Sequence, residues 1–192
     1  PPANFNGVLD IIVSASDGAL SASSGFRLTI SPVNDAPVLV SALPDRSVAE
    51  DSAIDIAIPA NSFADVDGDS LTLTARQVGG SALPGWLSFD GARLTGQPPA
   101  NYTGSIDIEI IASDGALVVT DAFRLTINPV NDAPVILLPL ADVLVAEDHA
   151  VSVTLPAGSF GDADGDALTL TAKLASGDPL PSWLAFDGAN RR

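Results

Sequence analysis

The sequence contains no cysteine, no methionine and a single histidine, and only 8 of its 192 residues are lysine or arginine, against 24 aspartates and glutamates. Without cysteine there is neither a disulfide nor a thiolate metal site. A secreted chain of this composition therefore needs another staple, and bound metal is one such staple. His149 is the only histidine, and Ser52 stands at the matching place of the repeat described below, so a Ser-His-Asp or Cys-His catalytic site finds no support. A formal charge of −16 repels phosphate backbones and anionic membranes and makes cations the natural counterparts. The longest apolar run, around Ala133 to Ala141, holds two prolines and is too short to span a bilayer. No charged-then-apolar leader opens the chain, which starts in mid-unit like a piece of something longer. Apolar residues at 46% argue against disorder despite the acidity.

What the sequence does have is a period. Pro32-Val33-Asn34-Asp35-Ala36-Pro37-Val38 returns letter for letter as Pro129 to Val135, 97 residues later. At that offset, and without a gap, residues 1–36 match 98–133 at 23 of 36 positions, and residues 37–95 match 134–192 at 31 of 59. Such a period marks a tandem array. It divides the chain into the back part of one unit (1–36), a complete unit (37–133) and the front part of a third (134–192).

Within the complete unit Ile54, Ile56 and Ile58 alternate with Asp55 and Ala57, as a half-buried strand requires. Leu71, Leu73 and Ala75 repeat the pattern, Ile106, Ile108 and Ile110 make a third strand, and Leu117 to Ile127 supply one or two more. The proline-rich linkers forbid helix and interrupt sheet pairing. Short strands, frequent turn signals and no helical stripe predict an all-β chain of tandem β-sandwich units of about 97 residues.

The acidic residues gather in turns: Glu50-Asp51, the loop Asp65-Val66-Asp67-Gly68-Asp69, Asp114, and Asn131-Asp132, with Asp162, Asp164 and Asp166 in the next copy of the loop. Alternate aspartates across a glycine turn can aim several carboxylates at one point, and irregular all-oxygen sites suit Ca²⁺. The plain alternative is that Asp, Asn and Gly are ordinary solvated turn residues. The loop is not an EF-hand: its glycine comes one place early and it runs into Leu71-Thr72-Leu73-Thr74 with no closing glutamate.

Ile111-Ala112-Ser113-Asp114-Gly115, followed by a strand and Asn131-Asp132-Ala133-Pro134, resembles the end of a cadherin repeat. Phe63 to Asp69 with Leu71-Thr72 resembles the Asp-x-Asp loop near its start, and Leu-Pro-x-Trp-Leu-x-Phe-Asp at 83–90 and 180–187 is similar to bacterial dystroglycan-type cadherin-like repeats. Those repeats belong to large secreted adhesins, repeats-in-toxin-type exoproteins and some polysaccharide-degrading enzymes. The resemblance implies a Greek-key, Ig/cadherin-like sandwich with calcium at the junctions between units. By position the first junction takes Asn34, Asp35, Asp65, Asp67, Asp69 and Asp114; the second takes Glu50, Asp51, Asn131, Asp132, Asp162, Asp164 and Asp166. The acidic mid-repeat segment of true cadherins is replaced by Pro99-Ala100-Asn101-Tyr102, so one calcium per junction is the expectation.

The expected function is a non-enzymatic, calcium-rigidified spacer and adhesion module of a large bacterial secreted or cell-surface protein, with surface polysaccharide or another surface protein as its target. The alternative is a polysaccharide-binding module using Trp86 and Trp183, whose apolar neighbours Leu87 and Phe89 instead favour packing between the sheets. Residues 1–36 and 134–192 are complementary halves with unpaired edges. The tail of one molecule is therefore expected to complete the head of another, with Asp17 capping the second junction.

Overall fold

The computed structural model describes residues 1–192 and contains strands but no helix. The first part is a single antiparallel hairpin of β1 (Gly7–Ser16) and β2 (Ser21–Ile30), in which Gly7 faces Ile30 and Ser16 faces Ser21.

The central part holds β3 (Val38–Leu39), β4 (Arg46–Ala49), β5 (Ile54–Ala57), β6 (Phe63–Ala64), β7 (Thr72–Gln77), β8 (Leu87–Phe89), β9 (Arg93–Gly96), β10 (Gly104–Ser113) and β11 (Val118–Asn128). One sheet has the order β4-β11-β10-β7, with β4 parallel to β11 and the other pairs antiparallel. The second has the order β5-β9-β8, and β3 pairs with β6. The segment 117–127 thus supplies one strand rather than two.

The core lies between the sheets. Alternation along β10 sends Ile106, Ile108, Ile110 and Ala112 inward, and β11 adds Phe123, Leu125 and Ile127. All of these but Ile127 join Ile54, Leu87 and Leu94 of the facing sheet in one cluster. On the outer face Arg124 crosses to Asp107 at 2.8 Å and Arg76 to Glu109 at 2.6 Å. Exposed pairs of this kind each add less than about 1 kcal/mol.

Trp86 packs against the core and meets Tyr102 with ring centroids 5.4 Å apart. At this point β9 comes so close to the Trp86 carbonyl that a Cβ on Gly96 would fall on that oxygen. Backbone cannot yield as a flexible side chain can, so Gly96→Ala is expected to cost about 1–2 kcal/mol in a urea unfolding curve, as over-packing does.

The last part, 134–192, has only β12 (Val135–Ile136) paired with β13 (Phe160–Gly161), the counterpart of β3 with β6. The alternating Leu168-Thr169-Leu170-Thr171 forms no strand, although the same letters at 71–74 run into β7. β7 pairs only with β10.

Candidate metal centre

Each linker is clamped to the acidic loop that follows it, in the same way at both junctions. The Asp35 backbone N–H donates to Asp67 Oδ2 at 2.7 Å, and the Asp132 N–H donates to Asp164 Oδ2 at 2.7 Å. The loops are built alike. Asp65 Oδ1 accepts from the Asp67 and Asp69 N–H groups at 2.8 and 3.3 Å, and Asp162 Oδ1 from Asp164 and Asp166 at 3.0 and 3.2 Å. The turn needs a left-handed residue at its fourth place. Gly68 (φ +83°) and Gly165 (φ +80°) supply it at no steric cost.

At the first junction Asp65, Asp67 and Asp69 present carboxylate oxygens within 4.8 Å of one another. Asn34 Nδ2 donates to Asp114 Oδ2 at 2.9 Å and to the Asp35 carbonyl at 3.2 Å. Asp114 Oδ1 caps the β10–β11 turn by accepting from Ala116 and Leu117. The Leu117 N–H, the Asn34 amide and the Ala116 N–H together hold the Asp114 carboxyl below its ordinary range. A depressed acid contributes stability above its unfolded value, and that contribution is lost as pH falls through the folded one. Asn34→Ala is therefore expected to move the Asp114 titration upward in a carboxyl-carbon NMR titration, and to weaken the linker latch at neutral pH.

The second junction gathers groups from three places. Glu50 comes from the end of β4, Asp132 from the linker and Asp164 from the following loop, with carboxylate oxygens within 4.8 Å of one another. Glu50 is only 2% exposed; its Oε1 accepts from the Val130 N–H at 2.8 Å and its Oε2 has no partner. Asp132 Oδ2, and at the first junction Asp65 Oδ2, are likewise buried without a partner. Burial, with the negative charges of Asp164, Asp51, Glu50 and Asp162, pushes the Asp132 carboxyl above its ordinary value. Asp51 sits at a left-handed φ of 58° with its carboxylate 3.4 Å from the Asn101 N–H. Asn131 donates to the Asp132 carbonyl at 3.1 Å. Asp17 lies in the β1–β2 turn, where it accepts from Ala19 and Leu20 as Asp114 does from its own turn.

Orphaned buried carboxylate oxygens facing one another are costly unless something positive lies between them. An all-oxygen donor set of carboxylates with nearby amide carbonyls fits a hard divalent cation, and its irregular geometry suits Ca²⁺ more than octahedral Mg²⁺. The clamp through the linker's backbone N–H was not foreseen from sequence. Its only trace there is the equal separation of 32 residues from Asp35 to Asp67 and from Asp132 to Asp164.

Among solved structures the chain is similar to an endo-fucoidan hydrolase from glycoside hydrolase family 107, at 22% identity and TM-score 0.44 over 89% of this chain and 27% of that one. It is similar to titin domain M7 at 24% identity and TM-score 0.36, over 51% of this chain and 99% of that one. A nucleoside hydrolase-related protein from Saccharophagus degradans, associated with carbohydrate metabolism, matches at 23% identity and TM-score 0.36, over 51% of this chain and 26% of that one. The chain spans only 20% and 27% of the length of the first two hydrolase structures it matches. No curated protein matches the sequence. A family model, He_PIG ("Putative Ig domain"), matches residues 36–128 and again 133–192. With most of its length matched, and the two matches following its own 97-residue period, the chain belongs to this Ig domain family as a tandem of its units.

Proposed function

We propose that the chain is a calcium-stiffened spacer of Ig-like units, cadherin-like in where the ion is held, with a structural rather than catalytic role in a secreted or cell-surface protein. One observation carries this reading: Glu50 Oε2 and Asp132 Oδ2 are buried without partners, in two residues whose carboxylates gather with that of Asp164 of the next unit within 4.8 Å. Glu50, Asp132 and Asp164 would hold the ion at the second junction, with Asp51, Asn131, Asp162 and Asp166 around it. Asp65, Asp67 and Asp69 would hold it at the first, beside Asn34, Asp35 and Asp114. Bound Ca²⁺ supplies positive charge that turns mutual repulsion into shared coordination. Because the ligands belong to a unit, its linker and the next unit, the angle between units is fixed when they are all engaged. Affinity in the range of extracellular modules, about 10⁻⁴–10⁻³ M, matches calcium outside the cell. Calorimetric titration of metal-stripped protein is expected to show calcium binding that magnesium does not reproduce, and its loss at the second junction in Glu50→Gln. Equal heats for both ions, or none for either, would overturn the reading.

A polysaccharide-binding reading rests on a different observation, the 74% exposure of Trp183. Trp86, its counterpart, is packed against Tyr102 and offers no sugar platform. Retention on insoluble polysaccharide in chelator, lost in Trp183→Ala, would favour that reading.

A further inference from the structure

We propose that Asn101 is a positioning residue of the second junction: its N–H holds Asp51, and through Asp51 the corner that turns Glu50 toward the ion. This role rests on the calcium reading of that junction and adds a residue that the acidic pattern does not contain.

The corner is forced by the fold. β4 lies in one sheet and β5 in the other, and only residues 50–53 connect them. Asp51 makes the reversal with a left-handed φ of 58°. On one side of it the Glu50 N–H donates to the Asn128 carbonyl at 2.9 Å, and Glu50 Oε1 accepts from the Val130 N–H at 2.8 Å. On the other side Ile54 enters the core, 2% exposed. Where the Glu50 carboxylate points therefore depends on Asp51 staying left-handed.

Asn101 has the same conformation, with φ 58°, and its N–H lies 3.4 Å from Asp51 Oδ1. In the central unit these two are the only residues other than glycine with positive φ, and they meet. Both conformations recur at the 97-residue period, in Asn4 (φ 62°) and Asp148 (φ 61°). Glycine reaches this region without strain and takes it at 68 and 165. Aspartate and asparagine tolerate it best among the other residues, at some cost. A cost borne at matching places of the repeat points to a use. For Asp51 the use is the carboxylate, which accepts from Asn101 and adds its charge to those around Asp132. For Asn101 the side chain is exposed, and the backbone N–H makes the contact.

The loop that carries Asn101 is anchored in the core. The Gln97 N–H donates to the Trp86 carbonyl at 3.2 Å, the Tyr102 N–H donates to the Pro99 carbonyl at 3.2 Å, and the Tyr102 ring packs on Trp86. Asn101 thus stands between an anchored aromatic pair and the corner that carries Asp51 and Glu50. Outer groups of this kind orient the ligands that touch a metal.

Calorimetric calcium titration of the metal-stripped full chain is expected to resolve a second-junction event, the one that Glu50→Gln removes. Asn101→Ala is expected to weaken that event at least about tenfold, the lower end for outer-shell changes. The first-junction event should stay as it is, whereas a general structural defect would weaken both. Asn101→Gly, which keeps the N–H and takes the left-handed region freely, is expected to restore the second event. Asp51→Gly keeps the corner and removes the acceptor; on that background Asn101→Ala adds nothing, because it acts through Asp51. In chelator, with no ion bound, the Asn101 amide hydrogen is expected to exchange faster in Asp51→Gly than in the wild type. Unchanged affinity in Asn101→Ala, an equal loss in Asn101→Gly, additive losses in the double variant, or amide exchange that ignores Asp51→Gly would each overturn the proposal and leave the calcium reading intact. A wild type that gives no calcium heat would instead overturn that reading, and this role with it.

Discussion

Removing calcium is expected to lower the thermal unfolding midpoint of the central unit by roughly 10–20 °C, reversibly, with no comparable effect of magnesium. The size follows from mass action. At a free concentration about a hundredfold above the dissociation constant, a ligand bound only by the folded state adds about 2.7 kcal/mol. For a unit of about a hundred residues each kcal/mol moves the midpoint by about 4–8 °C. The central unit contributes to both junctions, through Asp65, Asp67 and Asp69 at one and Glu50 at the other, so it reports on both. The effect should appear in calorimetric scans of metal-stripped protein with added calcium. A midpoint that ignores calcium would mean that the aspartates are solvated turns.

The second large effect is a change of sign. Without cation, Asp132→Asn is expected to stabilise the second junction; with saturating calcium, the same substitution is expected to destabilise it. Burial and then Asp164 lead the influences that raise the Asp132 carboxyl, followed by Asp51, Glu50 and Asp162. A carboxyl raised by folding loses stability as pH climbs from its unfolded value, about 3.9, through its folded one. At neutral pH the metal-free protein bears that full cost, and a neutral asparagine removes it. Acidification of the metal-free wild type should give the same relief, complete below the unfolded value. With calcium the lost ligand dominates, and binding should weaken at least about tenfold, the lower end of what even outer-shell changes produce. Unfolding curves of both proteins in chelator and in calcium decide the matter. A substitution of the same sign in both would show that Asp132 faces no cation.

The all-β architecture could be read from the chain because its strongest strands obey a period of two with one face buried. Ile54, Ile56 and Ile58, and Ile106, Ile108 and Ile110, announced core positions that the structure fills. The equal spacing of every acidic cluster exposed the junctions as repeated features, and the structure brings Glu50, Asp132 and Asp164 together from three separate stretches. What remained illegible depended on partners. Trp86 and Trp183 sit in near-identical sequences, but Tyr102 covers only the first, so the expectation of a packed tryptophan fails for Trp183. Leu168 to Thr171 carries the letters of a strand and forms none, whereas the same letters at 71–74 run into β7, which is paired with β10. Local pattern states what a segment can become; the pairing strand decides whether it does. The clamp of each linker onto Asp67 or Asp164 uses a backbone N–H, which every residue but proline has, and so leaves little mark on composition.

Small-angle X-ray scattering of dilute metal-stripped protein, recorded before and after adding calcium and again with magnesium, tests the central claim most directly. The account predicts that calcium alone narrows the distribution of shapes to one extended arrangement with fixed angles between units, and that Glu50→Gln with Asp67→Ala abolishes the change. Scattering that is the same with and without calcium, while the ion is bound, would contradict it.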